Sequence, residues 1–262
     1  GEPRGFLGEA LERALLRSRL LSSPPRPGPG VFREALRRPV WEEARPAVIL
    51  EYKRCRPGRF VAYMAPWEFL ELLGGAADAF SVLVEPYWFC GSPELVSYIA
   101  AASGKPVLAK DFTASREMLD LYQAAGASAA LLIVDMLGWR RLEELAEAAL
   151  ERGLTPLIEA GNADDAVEAM NTFPEAVVGI NARNLETLRV DLGAALRELE
   201  KAAARKPSGA ILVAESGIDS VEAARRAAAA GADALLIGTW AMRSPREAAA
   251  LPEALRGVLE AA

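Results

Sequence analysis

The sequence reads as an α/β protein, a single (β/α)8 TIM barrel with an N-terminal helical extension. Three observations predict it. Eight short apolar runs recur along the chain, many rich in β-branched residues, and none alternates polar with apolar. Such runs belong to strands buried on both faces, as in parallel sheets. Between them lie stretches with Ala, Leu, Glu and Arg at helical spacing, so strand and helix alternate at a period of roughly 21–34 residues. Polar residues collect where the runs end, the side on which barrels carry their sites.

In order, an amphipathic helix is expected at about 5–20, with Phe6, Leu7, Leu11, Leu15 and Leu16 as its apolar positions. The stretch 22–30 holds four prolines, which fix φ and remove donors, so neither helix nor strand runs through it. A short, charged helix follows around 31–43. Residues 1–45 thus form an extension packing on the barrel, and residues 46–262 form the barrel. Its strands are expected at 47–51, 80–84, 106–110, 130–134, 155–159, 176–181, 210–215 and 234–238. The helices at 139–152 and 220–230 show the clearest periodicity. Gly126, Gly153 and Gly231 read as the glycines that end helices in a left-handed conformation. A doubly wound sheet is the alternative, but the G-x-G-x-x-G loop usual there is absent.

Composition excludes several classes of function. The 262 residues carry 30 Lys+Arg against 36 Asp+Glu, a net charge of −6, so a general nucleic-acid surface is not expected. There is no histidine, which rules out Ser-His-Asp and Cys-His catalysis and His-ligated zinc. Two cysteines, Cys55 and Cys90, are too few for a disulfide framework or a four-cysteine zinc site. No metal site is expected. No window approaches the roughly 18 apolar residues of a membrane span, and no apolar leader is visible, so no membrane partner and a cytoplasmic location are expected. The helices, rich in Ala, Arg, Leu and Glu with few Asn and Gln, point to heat adaptation.

The strand ends carry the chemistry. They read Glu51 and Lys53, Glu85, Lys110-Asp111, Asp135, Glu159, Asn181 and Arg183, Glu215-Ser216-Gly217, and Gly238-Thr239. Glu51 and Lys53 are two apart and so face the same side of a strand. With Lys110 and Glu159 they place two ammonium and two carboxylate groups around one mouth, enough for acid–base chemistry without histidine. Burial and a neighbouring cation are expected to lower the lysine pKa. The bland reading of these charges is a salt-bridge ring at the rim. Gly217 and Gly238, after the last two strands, allow backbone N–H groups to approach a phosphate, where barrels commonly bind one; the alternative is a pair of ordinary turn glycines.

Read together, Glu51-Tyr52-Lys53-Arg54, Phe89-Cys90-Gly91-Ser92, Pro106 to Phe112 (with Lys110-Asp111-Phe112), Leu157-Ile158-Glu159, Gly179-Ile180-Asn181-Ala182-Arg183-Asn184-Leu185-Glu186-Thr187, Ala214-Glu215-Ser216-Gly217-Ile218 and Leu236-Ile237-Gly238 resemble the indole-3-glycerol-phosphate synthase family. The resemblance spans about residues 47–245, and the N-terminal helical extension is also a family feature. It implies a lyase of tryptophan biosynthesis that closes the ring of 1-(2-carboxyphenylamino)-1-deoxyribulose 5-phosphate and expels CO2 and water. It implies no cofactor, a small phosphorylated substrate as the partner, and a monomer. By position Lys110 matches the general acid and Glu159 the general base. Lys53 pairs with the substrate carboxylate and is a candidate second acid. Glu51 and Asn181 orient these groups, and Ser216 and Arg183 line the mouth with Glu215. Gly217, Gly238 and Thr239 hold the phosphate. Phe89, Phe112, Leu131 and Leu236 wall the aromatic ring, unless they are ordinary core.

The chain departs from the family in its first loop. The usual K-x-x-S-P-S is Lys53-Arg54-Cys55-Arg56-Pro57-Gly58, so both serines are replaced. Arg56 is there either a further anion contact or a solvated loop residue. Val84, Ala160-Gly161 and Thr239-Trp240 are smaller departures. Competing readings are a phosphoribosylanthranilate isomerase, whose Cys–Asp pair has no match at the strand ends, and a non-catalytic or repurposed phosphate-binding barrel. Cys55 and Cys90 follow adjacent strands; free thiols in a reducing compartment are expected, with a bridge between them as the alternative.

Overall fold

The computed structural model describes residues 3–181 and 191–260. Eight strands close a parallel barrel: β1 (Ala47–Tyr52), β2 (Ala79–Leu83), β3 (Val107–Lys110), β4 (Ala129–Ile133), β5 (Thr155–Ala160), β6 (Val177–Asn181), β7 (Leu212–Glu215) and β8 (Ala234–Ile237). Each pairs with the next, and β1 pairs with both β2 and β8, with Glu51 opposite Ser81 and Ile49 opposite Leu236. The chain is therefore a TIM barrel.

Two leading helices precede it, α1 (Phe6–Ser22) and α2 (Val31–Glu43). Outer helices follow the strands: α3 (Pro66–Leu73), α4 (Pro93–Ser103), α5 (Arg116–Ala125), α6 (Val134–Glu151), α7 (Ala163–Thr172), α8 (Leu192–Ala204) and α9 (Val221–Ala229). Three short helices end the chain: α10 (Thr239–Arg243), α11 (Pro245–Ala249) and α12 (Leu251–Leu255). Gly126, Gly153 and Gly231 adopt positive φ at helix ends. No helix among the described residues is long and apolar enough to cross a membrane.

Alternation along the strands splits the core in two. Ala47, Ile49, Ala79, Leu108, Leu131, Leu157, Val177, Val213 and Leu236 point into the barrel, where Phe32 and Leu36 of α2 join them. Val48, Leu50, Val82, Ile158, Val178 and Ile237 point outward into the layer shared with the helices. The inner layer is thus closed at one end by α2, and Arg45, just after that helix, is fixed by Asp78 at 2.8 Å. The opposite end remains for polar residues.

Several boundaries differ from the sequence expectation. Val134 and Asp135 start α6 rather than ending β4. The helix runs through a kink at Gly138, whose φ of 70° and ψ of 163° are non-helical. A two-residue-per-arm hairpin pairs Cys55 with Phe60 and Arg56 with Arg59, turning at Gly58 with φ of 71°. On α1 the apolar residues Phe6, Leu7, Leu11 and Leu15 stay exposed, while Leu16 is half-buried. That helix meets the barrel layer instead through an Arg17–Glu94 ion pair, the Arg13 guanidinium over Trp67, and partly buried Leu20.

Candidate active site

The inward parity of the strands decides which polar side chains meet. Glu51 follows Ala47 and Ile49, Lys110 follows Leu108, Glu159 follows Leu157, Asn181 follows Val177 and Gly179, and Glu215 follows Val213. All lie one step above the apolar inner layer, at the C-terminal ends of their strands. Glu51, Lys110, Glu159 and Asn181 line a cavity of about 770 Å³, the size of a small-molecule site.

Glu51 lies at the centre of a cation cluster. Its carboxylate is 2.9 Å from Lys110 Nζ and 3.7 Å from Lys53 Nζ, and it accepts a hydrogen bond from Ser81 Oγ at 2.9 Å. Burial opposes its ionisation. The two ammonium groups and the hydrogen bonds from Lys110 and Ser81 outweigh burial and hold its pKa below the ordinary value. Lys110 is shifted the other way from the sequence expectation. Burial does act to lower its pKa, but the charges of Glu51, Glu215 and Glu159 outweigh burial and raise it. The expectation of a lowered pKa counted the neighbouring lysine. It did not count three carboxyls converging from β1, β5 and β7.

A hydrogen-bonded chain lies across the mouth. Ser216 Oγ donates to Asn181 Oδ1 at 2.8 Å, and Asn181 Nδ2 donates to Glu159 Oε1 at 3.3 Å. Ser216 takes a positive φ of 69° and Gly217 one of 76°. Two successive left-handed residues turn the chain sharply after β7, and the non-glycine one stores strain of about 1–3 kcal/mol. Glu215 lies deeper, 2% exposed, with neither carboxylate oxygen hydrogen-bonded among the described residues. Burial first, and then the adjacent Glu159 charge, push its pKa well above the usual carboxylate range.

Of the residues singled out in the sequence, Glu51, Lys53, Lys110, Glu159, Asn181, Ser216, Gly217, Gly238, Thr239, Phe89, Phe112, Leu131 and Leu236 all line this one cavity, as does Arg56. Glu215 lies beneath it. Arg183 falls outside the described residues. The rings of Phe89 and Phe112 are 6.2 Å apart, and Leu131 and Leu236 form part of the apolar floor. Gly238 immediately precedes α10. A β-carbon there would sit 2.9 Å from both Glu51 Oε1 and Lys53 Nζ, so the glycine also makes room for the ion cluster.

Sequence reasoning missed other residues. Gly179 is one: a β-carbon would come within 2.6 Å of Glu215 Oε2, so its bare backbone creates the space for that carboxyl. Ile133 lines the cavity and shares Leu131's parity, which was signal enough to find it. Arg243 and Ser244 line it from the end of α10, where no pattern in the sequence marked them. Glu85, marked in the sequence as the polar end of the second strand, organises the loop that follows, its buried carboxylate accepting the backbone N–H groups of Tyr87, Trp88 and Phe89 at 2.7–3.0 Å. The expectation of free thiols is corrected: Cys55 and Cys90 form a disulfide. The loops after neighbouring strands β1 and β2 lie side by side, and the two Cα atoms are 5.7 Å apart, within bridging range.

Comparison with known proteins agrees with this geometry. The sequence profile of the family described as indole-3-glycerol phosphate synthase matches residues 19–253. A protein of that name from Aeropyrum pernix is 44% identical over 247 residues, covering 92% of this chain and 94% of its own. One from Pyrobaculum arsenaticum is 40% identical over 199 residues, covering 76% and 78%. Among solved structures, 3-hexulose-6-phosphate synthase from Salmonella typhimurium superposes with a TM-score of 0.59 at 16% identity, over 82% of this chain and 99% of that one; this likeness concerns the fold alone. The barrel, its mouth and the extent of these matches make the chain a member of the indole-3-glycerol phosphate synthase family.

Proposed function

We propose that this mouth performs the family's carboxy-lyase reaction with Lys110 as general acid and Glu159 as general base. The substrate is 1-(2-carboxyphenylamino)-1-deoxyribulose 5-phosphate. The ring carbon bearing the carboxylate attacks the ribulose carbonyl carbon, and the carbonyl oxygen takes a proton as its π bond breaks. Lys110 supplies that proton. The carboxylate leaves as CO2, returning its bonding pair to the ring system. Glu159 then removes a proton while the new hydroxyl leaves as water, with Lys53 as the second acid, and the product is indole-3-glycerol phosphate.

The observation that carries this reading is the Lys110–Glu51–Lys53 ion cluster at the cavity, opposite the Glu159–Asn181–Ser216 chain. It supplies two cationic acids and a carboxylate base without histidine. Glu51 and Asn181 orient these groups and meet substrate hydroxyls. Backbone N–H groups around Gly217, Gly238 and Thr239 take the phosphate, joined by Arg183 on the strength of the family motif. Phe89, Phe112, Leu131 and Leu236 wall the aromatic ring. No cofactor takes part.

The same reading takes residues 1–45 as an extension packing on a barrel of residues 46–262, acting as a cytoplasmic monomer. A disulfide is compatible with an intracellular protein of a heat-adapted organism, which the composition of the helices suggests. The test mixes protein with substrate and follows product fluorescence with and without chelator. Turnover that survives chelator supports the reading; no turnover across temperature, with phosphate removed, refutes it.

A further inference from the structure

We infer that the Cys55–Cys90 disulfide is a positioning clamp for the substrate mouth, tying a projecting hairpin to a fixed loop. The inference rests on the reading above for the identity of the substrate. One partner is anchored. Cys90 ends the loop after β2, where Glu85 accepts three successive backbone N–H groups and Gly91 N donates to Glu85 O at 2.8 Å. Ser92 N donates to Leu83 O at 3.2 Å, returning the chain to the barrel wall. Gly91 approaches the Leu83 backbone so closely that a β-carbon has no room, and Cys90 itself has a φ of 54°. This backbone has one shape, and it presents both Phe89 to the cavity and Cys90 Sγ to the hairpin.

The other partner projects. In the 55–60 hairpin, residues 57–60 are exposed, and its backbone pairing is internal, Cys55 with Phe60 and Arg56 with Arg59. It carries Arg56 and Pro57 to the cavity lining. The bridge joins it to the loop that carries Phe89, and Arg54 Nη2 reinforces the join by donating to Cys90 O at 2.7 Å. Two walls of the mouth, one charged and one aromatic, are thereby held in fixed relation. Lys110, Glu51 and Glu159 stand on barrel strands and do not depend on this join, and Lys53, just before the hairpin, also has Glu51 at 3.7 Å. The clamp therefore acts on substrate capture rather than on the chemical step. Its loss is felt as the cost of ordering loop side chains when substrate binds.

The experiment compares oxidised wild type, wild type treated with dithiothreitol, and a Cys55→Ser/Cys90→Ser variant. Reduction breaks the Sγ–Sγ bond; two electrons and two protons come from the dithiol, which closes to its own cyclic disulfide. Alkylation of native protein without reductant should modify neither thiol; two modified cysteines would overturn the clamp. Reduction should raise KM about 3- to 10-fold with kcat nearly unchanged. The double variant should show the same high KM and no response to dithiothreitol. Equal KM in oxidised and reduced enzyme would overturn the inference, as would a fall in kcat alone. Limited trypsinolysis followed by mass provides a readout independent of catalysis. Cleavage after Arg54 or Arg59 should accelerate on reduction, and an unchanged rate would overturn the clamp whatever the turnover. Absence of turnover in the oxidised enzyme, with that protection intact, would count against the reaction and not against the tether.

Discussion

Replacing Lys110 by methionine removes one cation and keeps most of the side chain's bulk. The structure sets what should follow. Lys110 Nζ is 2.9 Å from Glu51 Oε2 in a place where Glu51 is almost fully buried, and the charges of Glu159 and Glu215 also act on it. Breaking a buried pair by deleting one partner costs about 3–5 kcal/mol. Here Glu51 keeps Lys53 at 3.7 Å and the Ser81 hydroxyl at 2.9 Å, so a loss near ~3 kcal/mol at neutral pH is expected. The loss depends on pH in a definite direction. In wild type the folded-state pKa of Glu51 is depressed, so its contribution to stability is present above the unfolded carboxylate pKa and is lost as pH falls through the folded one. Lys110→Met forfeits much of that contribution. The gap between variant and wild type should therefore be widest near neutrality and close on acidification. Urea unfolding at several pH values measures the gap. Turnover, measured where the variant is folded, should fall at least ~10²-fold, as for a lost general acid. A fall of under tenfold would remove Lys110 from that role, and a stability gap constant across pH would refute the electrostatic account.

Glu159→Gln should let ring closure proceed and stall the later dehydration, so a single-turnover quench should find an intermediate; unchanged full turnover would end its assignment as base. Glu215→Gln should flatten the pH profile of stability. A raised folded pKa means wild type loses stability as pH rises from the unfolded value near 4.5 through the folded one, and the amide cannot titrate. Identical profiles in the two proteins would contradict the burial argument. Gly179→Ala should destabilise by about 1–3 kcal/mol through overpacking against the Glu215 carboxyl and should lower turnover with it, as thermal unfolding and the fluorescence assay would report.

The barrel was legible because parallel strands buried on both faces are written as unbroken apolar runs. The polar strand ends were legible for the same reason, since Lys110, Glu159 and Asn181 interrupt runs that otherwise have none. Val134 misled because an apolar residue after a strand reads as more strand, and the turn of helix before Gly138 has no periodicity of its own. The α1 residues Phe6, Leu7, Leu11 and Leu15 misled in the opposite sense, because an apolar stripe predicts a buried face whatever lies beside it. Gly179 was invisible as a site residue, because its part is to leave volume for a side chain on the next strand. The direction of the Lys110 shift lay out of reach for a related reason. It depends on Glu51, Glu159 and Glu215, which are far from Lys110 in the sequence and share a layer with it only after the barrel closes.

The arrangement of charge also suits a reaction in which a carboxylate must leave. A cation that gripped the departing carboxylate as tightly in the transition state as before would add only uniform binding. Under the proposed roles the two lysines divide the work. Lys53, 3.7 Å from Glu51, receives the substrate carboxylate; Lys110, 2.9 Å from Glu51, protonates the carbonyl oxygen. Glu51 lies between them, and its charge favours the protonated form of Lys110. Glu215 is buried beside Glu159, and both raise its pKa, so its surroundings work against a further negative charge beneath the substrate's phosphate and carboxylate. Histidine is not required for such a site, because the proton inventory is set by which carboxyls the barrel buries beside which lysines.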